Sequence, residues 1–249
     1  EQRVHREAAN LGVGAGEDRL QHRQDVGRIQ FRQPREGGHG NRRFAVLREL
    51  IARARGRTLE LGSGTGQHVV HFARHTPELI WWPSDLNQRH LKSIEAWRVH
   101  SGLQNIRSPL RIDLTDPGWR PAMHDGNGPG ELLAVFCANV IHIAPWRVAE
   151  GLFAGAARYL REDGRLFLYG PFKRDGKHTA MSNAVFDTSL RQQDAEWGVR
   201  DITDVEKLAA RVGLALVETV PMPANNMILV FDCIEMDIFN ERILQRQLR

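Results

Sequence analysis

Apolar positions recur at helical spacing from Arg42 onward, at Phe44, Leu47, Leu50 and Ile51, and this run ends at Gly56, a residue suited to helix termination. Beyond it the pattern alternates. Short apolar runs at 58–61, 79–82, 106–112, 132–138 and 166–169 read as strands, and helical patterns at 67–75, 88–100 and 146–160 fall between them. That order predicts a parallel sheet with crossover helices. The last third differs. Helices are expected at 182–193 and 203–212, the second opened by Thr203 with Glu206 as a capping box and closed by Gly213. Strands at 214–220 and 227–231 then follow with only residues 221–226 between them, short enough for antiparallel pairing. The expected fold is therefore α/β, with five parallel strands, an antiparallel C-terminal hairpin and helices on both faces.

Composition bounds the organisation. Of 249 residues, 41% are hydrophobic and 26% charged, enough for one large core and against a disordered chain or a disulfide mini-protein. Residues 1–40 are rich in Arg, Gln, Gly and His and read as a poorly ordered basic extension. The absence of an initiating Met points to a start inside a longer product. Residues 41–231 form the expected domain, and 232–249 a tail open to a helical reading. The formal net charge is +4, and residues 1–43 hold nine Arg against six acids, so the rest is nearly neutral and does not argue for nucleic acid. Two cysteines build no disulfide framework, and Cys137 reads as a small core residue. With no apolar run near the roughly 20 residues of a bilayer span, the expectation is a cytoplasmic protein without membrane association.

The chemistry concentrates at Leu59-Glu60-Leu61-Gly62-Ser63-Gly64-Thr65-Gly66-Gln67, where a strand runs into a helix. Glycines at 62, 64 and 66 permit a tight turn and close approach of a ligand, and the following helix offers unpaired N–H groups. A dinucleotide fingerprint would place its third glycine where Gln67 stands, and it serves a pyrophosphate, which Glu60 would repel. A cationic sulfonium with an amino-acid tail gains from that carboxylate. Asp85, at the end of the second strand, is placed to accept ribose hydroxyls of either cofactor class, or to cap the segment from Leu86. Asp113-Leu114 closes the third strand, with a turn as the other reading of Asp113.

The Gly-x-Gly-x-Gly spacing preceded by Glu60 resembles motif I of the class I S-adenosylmethionine-dependent methyltransferases. The strings Leu61-Gly-Ser-Gly-Thr-Gly-Gln-His68, Pro83-Ser-Asp85, Phe136-Cys-Ala-Asn-Val-Ile-His142, Tyr169-Gly-Pro-Phe172 with His178-Thr179, Ser182-Asn183, Trp197-Gly-Val-Arg-Asp201 and Pro223-Ala-Asn-Asn226 are more specific. They resemble a methyltransferase-like family known as domain of unknown function 938, which includes mammalian methyltransferase-like protein 26. The likeness runs from about Asn41, whose Asn41-Arg42 resembles the opening of the family's first helix, to Phe231. It implies a Rossmann-like seven-stranded class I methyltransferase sheet and an S-adenosylmethionine site at Glu60, Gly62, Ser63, Gly64, Gly66, Gln67, Asp85, Leu86, Asp113, Leu114 and Asn139. In that resemblance Asp113 faces the adenine amino group and the next backbone N–H reaches the ring.

Methyl transfer asks chiefly for positioning, and for a base only where the nucleophile must lose a proton. Acceptor-side candidates follow strands four and five: Asn139 and His142, then Tyr169, Lys173 and His178. His142, Asn139 and Tyr169 are the catalytic candidates, with His142 the base. The string Asn139-Val140-Ile141-His142 lacks the Asn-Pro-Pro-aromatic signature of DNA amino methyltransferases, which disfavours a nucleic-acid base and leaves a small molecule or protein as acceptor. Residues 170–201 read as a long polar loop containing a helix, a lid or substrate-selecting insertion, with Trp197 and Phe172 either lining an acceptor pocket or packing. Asn225-Asn226 reads as a turn or a wall of the acceptor side. His68, His71 and His75 share a helix face, but without a carboxylate or Cys at ligand spacing no metal is expected. Neither a nucleophile elbow nor a phosphate-loop Lys-Ser/Thr pair is present. Two other classes stay open: a non-catalytic methyltransferase-like interaction module, and an NAD-dependent oxidoreductase that Gln67 and the closing hairpin disfavour.

Overall fold

The structure, a computed structural model, describes residues 55–123 and 130–234. The helix expected from Arg42 up to residue 54, the extension 1–40 and the tail from 235 lie outside them. In chain order the elements are β1 (Gly56–Leu61), α1 (Gln67–His75), β2 (Leu79–Asp85), α2 (Gln88–Ser101), β3 (Leu110–Arg111), β4 (Leu132–Ala138), α3 (Trp146–Tyr159) and β5 (Leu160–Gly170). Then come β6 (Phe172–Arg174), β7 (Lys177–His178), α4 (Met181–Gln193), β8 (Arg200–Asp201), α5 (Ile202–Arg211), β9 (Leu214–Met222) and β10 (Asn226–Cys233).

Seven strands form one mixed sheet in the order β3-β2-β1-β4-β5-β10-β9. Strands β3 to β5 pair in parallel, whereas β10 runs antiparallel to both β5 and β9. The chain steps outward from β1 to β3 and returns beside β1 as β4. This reversal leaves a crevice beyond the carboxyl ends of β1 and β4, the usual ligand position in open α/β sheets. Residues 132–137 of β4 are all buried, as expected of a strand covered on both faces. Phe136 meets Phe72 of α1 edge-on at 5.1 Å on one face. On the other face Val135 and Cys137 join the core that holds Leu152 and Phe153 of α3 and Val205 of α5. Phe153 also packs edge-on against Phe231 of β10 at 5.2 Å.

Several boundaries depart from the sequence pattern. The third strand shrinks to β3 plus a single bridge from Trp81 to Ile106, because Pro109 lacks the N–H a ladder needs. The fifth begins earlier, at Leu160, and β10 extends past Phe231 to Cys233, into the expected tail. Helix α5 is capped by Asp201, whose side chain accepts from the Thr203 N–H, so Thr203 is not the cap. The expected loop at 170–201 is an ordered insert: α4 with a three-stranded sheet in the order β7-β6-β8. Trp197 and Phe172 are buried there and pack. Among the described residues no helix is long and apolar enough to cross a membrane.

Candidate functional site

Beyond β1 the chain passes through three glycines with positive φ, each for its own reason. At Gly62 (φ 70°) a Cβ would lie 2.3 Å from Val140 Cγ2, and at Gly66 (φ 89°) 2.9 Å from the Ile94 backbone of α2. Those two glycines close the turn against the β4 loop and against α2. At Gly64 (φ 57°) a Cβ would meet nothing within 4 Å among the described residues. Its backbone faces open space, the cradle that a closely approaching ligand needs. The loop is braced from below: the Ser63 N–H donates to the Ser84 carbonyl at 2.8 Å, the Ser84 N–H to Ser63 Oγ at 3.1 Å, and the Ser84 hydroxyl to the Glu60 carbonyl at 2.7 Å. Ser63 is thus engaged in holding the loop to β2. Helix α1 starts at exposed Gln67 with no side-chain cap, since Gly66 occupies the N-cap position.

Two carboxylates attend this turn. Glu60 is 2% exposed, and among the described residues its Oε2 has no hydrogen-bond partner. Burial pushes its carboxyl up to about 7; Ser63 pulls it partway back, and nearby Asp85 adds to the rise. A buried carboxylate left with an unmet oxygen suits a cationic ligand. Asp85, at the tip of β2, accepts the Gly64 N–H at 2.9 Å through Oδ2 and the Asn87 N–H at 2.8 Å through Oδ1, with His90 Nδ1 3.2 Å away. The N-cap of α2 is Asn87, which accepts from the Arg89 N–H, so Asp85 fixes the turn ahead of the helix rather than capping it. Leu86 beside it is 36% exposed, an apolar surface at the rim. Asp113 accepts the Thr115 N–H at 2.9 Å and the Thr115 hydroxyl at 2.7 Å, a turn that positions it at the end of β3, with Leu114 buried next to it.

Across the crevice, Asn139 follows β4 at φ 59°, a left-handed conformation for a non-glycine residue, with its N–H donating to the Tyr169 carbonyl at 2.9 Å. Tyr169 is buried at the end of β5, and its hydroxyl accepts from Asn226 Nδ2 at 2.9 Å. Asn225 (φ 58°) forms the β9–β10 turn with Ala224, and its carbonyl accepts from Asn183 Nδ2 at 2.9 Å. His142 is 1% exposed, 5.0 Å edge-on from Phe172, and packed so that a Cβ on Gly170 would lie 2.4 Å from its Nε2. Burial drives its pKa down to about 3, assisted by Arg200, while the Gly198 backbone and Asp187 pull the other way. The Gly198 N–H donates to the His142 carbonyl at 2.9 Å, and among the described residues neither ring nitrogen has a hydrogen-bond partner. The imidazole is therefore neutral at ordinary pH and weakly basic.

Lys173 and His178 turn away from a reactive task, since both contact Asp187, at 2.9 and 3.3 Å. Arg191 Nε lies 3.3 Å from the same carboxylate, and the Val199 N–H donates to it at 2.7 Å. Burial alone would raise the Asp187 pKa, but the Lys173 and Val199 hydrogen bonds and the Lys173 and Arg191 charges hold it below its ordinary value. Neither Asp187 nor His90 is visible in the local pattern. The partners of Asp187 lie up to 14 residues away, and the His90 contact with Asp85 depends on how α2 is set against the tip of β2. His68, His71 and His75 interact along α1: His75 Nδ1 lies 2.8 Å from the His71 carbonyl, and the His71 and His75 rings lie 4.5 Å apart. Among the described residues no group of three or more His, Cys, Asp or Glu is placed to hold a metal.

The crevice, its glycine cradle and the later strings agree with one further observation: the model of a family described as "Protein of unknown function (DUF938)" matches residues 40–233. The chain belongs to this family. Its architecture is shared by solved methyltransferases at low identity. An O-methyltransferase family protein from Burkholderia thailandensis superposes with a TM-score of 0.64 at 18% identity, over 79% of this chain and 57% of that one. An O-methyltransferase family 2 protein from Planctomyces limnophilus, in complex with apigenin, gives 0.60 at 17% identity, over 74% and 52%. The neocarzinostatin-biosynthesis O-methyltransferase NcsB1, with S-adenosylhomocysteine and 1,4-dihydroxy-2-naphthoic acid, gives 0.56 at 19%, over 72% and 49%. The chain spans roughly half of each of those proteins. The DUF938 chain has the class I methyltransferase fold.

Proposed function

We propose that this protein binds S-adenosylmethionine at the glycine turn and transfers its methyl group to an acceptor placed beyond β4 and β5. The observation that carries the reading is the pairing of an open backbone cradle at Gly64 with the unmet, buried Oε2 of Glu60. When bound, the donor supplies a methyl carbon already activated by its sulfonium. Glu60 then favours the cationic amino-acid end, Asp85 is placed for the ribose hydroxyls, and Leu86 with Asp113 and Leu114 forms the adenine side. Gly62, Ser63, Gly66 and Gln67 hold the turn in which Gly64 stays open.

What the chain contributes to the reaction is alignment and exclusion of water. Asn139, held in a left-handed conformation against the Tyr169 carbonyl, presents an amide at the junction of donor and acceptor. Tyr169, oriented by Asn226, fixes the floor of β5. A base role for His142 is poorly served by a pKa of about 3. Its place in the proposal is to position Asn139 and Gly170 by packing, so the acceptor is one whose nucleophile needs little help in losing a proton. The O-methyltransferases that share the fold support methyl transfer as a class only, by analogy of fold.

Calorimetric titration of the protein with S-adenosylmethionine, S-adenosylhomocysteine and NAD in parallel tests this. The first two are expected to bind and NAD to stay silent. Gly64→Asn, which tolerates positive φ but fills the cradle, is expected to lose both ligands while unfolding normally. Silence from all three ligands would leave a methyltransferase-like interaction module.

A further inference from the structure

A second concavity lies away from the glycine turn, between α5 and the small sheet of the insert, with a volume of about 770 Å³. That is within the range of small-molecule sites, roughly 300–1,000 Å³. Its walls carry five cations, Lys173, Arg191, Arg200, Lys207 and Arg211, against the three carboxylates Asp175, Asp201 and Asp204. The carboxylates are in part already engaged. Asp201 accepts the Gly176 N–H at 2.6 Å and the Thr203 N–H at 2.9 Å, and Asp204 stands 3.7 Å from Lys207. Lys173 and Arg191 share Asp187. Three cations remain less compensated. Among the described residues Arg211 has no ion pair and Arg200 donates to backbone carbonyls alone, while Lys207 is 66% exposed beside a distant partner.

Arg200 is the organising group. Its Nε donates to the Ile141 carbonyl at 2.9 Å, one terminal nitrogen donates to the Ala144 and Glu196 carbonyls at 2.6 and 2.8 Å, and the guanidinium lies 5.5 Å from the centre of the Trp146 ring. A guanidinium fixed in this way is preorganised rather than flexible, and its other terminal nitrogen keeps two N–H groups to offer an oxyanion. Burial and the like charge of Arg191 work against its protonated form, while Asp187 and Glu196 favour it. Trp146 and Leu208 add apolar wall for an organic portion.

We propose that this cleft binds a small molecule bearing an oxyanion, a phosphate ester or a carboxylate, anchored by Arg200, Lys207 and Arg211. The site uses none of the glycine-turn residues and stands independently of methyl transfer. It also shares a wall with that crevice: Val140 packs on Gly62, and Ile141 and Ala144 of the same loop bond Arg200.

The test is calorimetric titration of the full chain with pyrophosphate and with citrate at low ionic strength, beside the double variant Lys207→Gln/Arg211→Gln and a control, Arg74→Gln/Lys92→Gln, that removes two exposed cations of α1 and α2. The wild type and the control are expected to saturate with at least one anion, the better one naming the headgroup. The double variant is expected to bind about tenfold more weakly or worse, with S-adenosylhomocysteine titration the same as wild type. Absence of saturation in the wild type, equal binding by the double variant, or an equal loss in the control would overturn the proposal.

Discussion

Around Asp187 four donors converge on one carboxylate, from Lys173, His178, Arg191 and the Val199 backbone. At the end of β1, Glu60 is 2% exposed against 6% for Asp187, and among the described residues its Oε2 is left unmet. The two acids differ in the direction of their shifts, one held down and the other pushed up to about 7. The contrast separates scaffolding from a ligand site. A fully answered buried charge ties elements together, here α4 to β6, β7 and the strand-entry at Val199, whereas an unanswered one waits for a partner.

The largest way to break the comparison is Asp187→Ala. Removing the hub strands Lys173 and Arg191, and unfolding free energy is expected to fall by about 3 to 5 kcal/mol. Urea denaturation reads this, and a loss below about 1 kcal/mol would make the hub a mere surface ion pair. Glu60 should behave in the opposite sense. Because its folded pKa lies above the ordinary carboxyl value of 4.5, the ligand-free fold prefers the proton. Stability contributed by Glu60 is full below about pH 4.5 and falls as pH rises to about 7. Glu60→Gln is therefore expected to remove that slope and to leave the ligand-free protein more stable than wild type at pH 8, by roughly 3 kcal/mol. Melts at pH 5 and pH 8 decide it; parallel pH dependence in both proteins would sink the assignment. Affinity of the wild type for S-adenosylmethionine should meanwhile rise over the same interval, as the carboxylate forms.

Asp85→Ala is expected to weaken S-adenosylhomocysteine binding by about 1.5 to 3 kcal/mol. Calorimetry that shows unchanged affinity would reduce Asp85 to a bracket for Gly64 and Asn87. The smallest effect lies far from both acids. Ala224 occupies a left-handed turn position at φ 61°, so Ala224→Asn should stabilise by about 0.5 to 1 kcal/mol. Thermal unfolding would show it, and a lowered midpoint would contradict the strain argument.

Much of the fold is legible in the chain because its signals are local. The run at 132–138 gives β4 with the same ends, and the 67–75 periodicity gives α1. The glycine turn is equally readable, since positive φ at 62, 64 and 66 leaves its mark in residue type. What escaped depends on contacts remote in sequence. Asp187 looks like any polar helix residue until α4 docks on β6 and β7. His142 has the residue type of a base, yet Phe172 and Gly170 close around it and take its basicity away. Thr203 with Glu206 has the pattern of a capping box, but Asp201 accepts the Thr203 N–H that Glu206 would take. The two faces of Gly64 and Gly62 are likewise invisible in sequence, one open to a ligand and one filled by Val140.

The position of β10 has a consequence for how the protein is made. It is the last strand of the described residues, yet it sits between β5 and β9. Until residues 226–233 have left the ribosome, β5 shows a bare row of N–H and C=O groups beside the buried side chains of Leu166, Phe167 and Leu168. The tight turn at Ala224 and Asn225 lets β9 and β10 close locally, and the hairpin then docks as one piece. Closure of the sheet thus waits for residues 226–233, and a nascent chain interrupted before Asn226 is an aggregation hazard whatever its glycine turn has achieved.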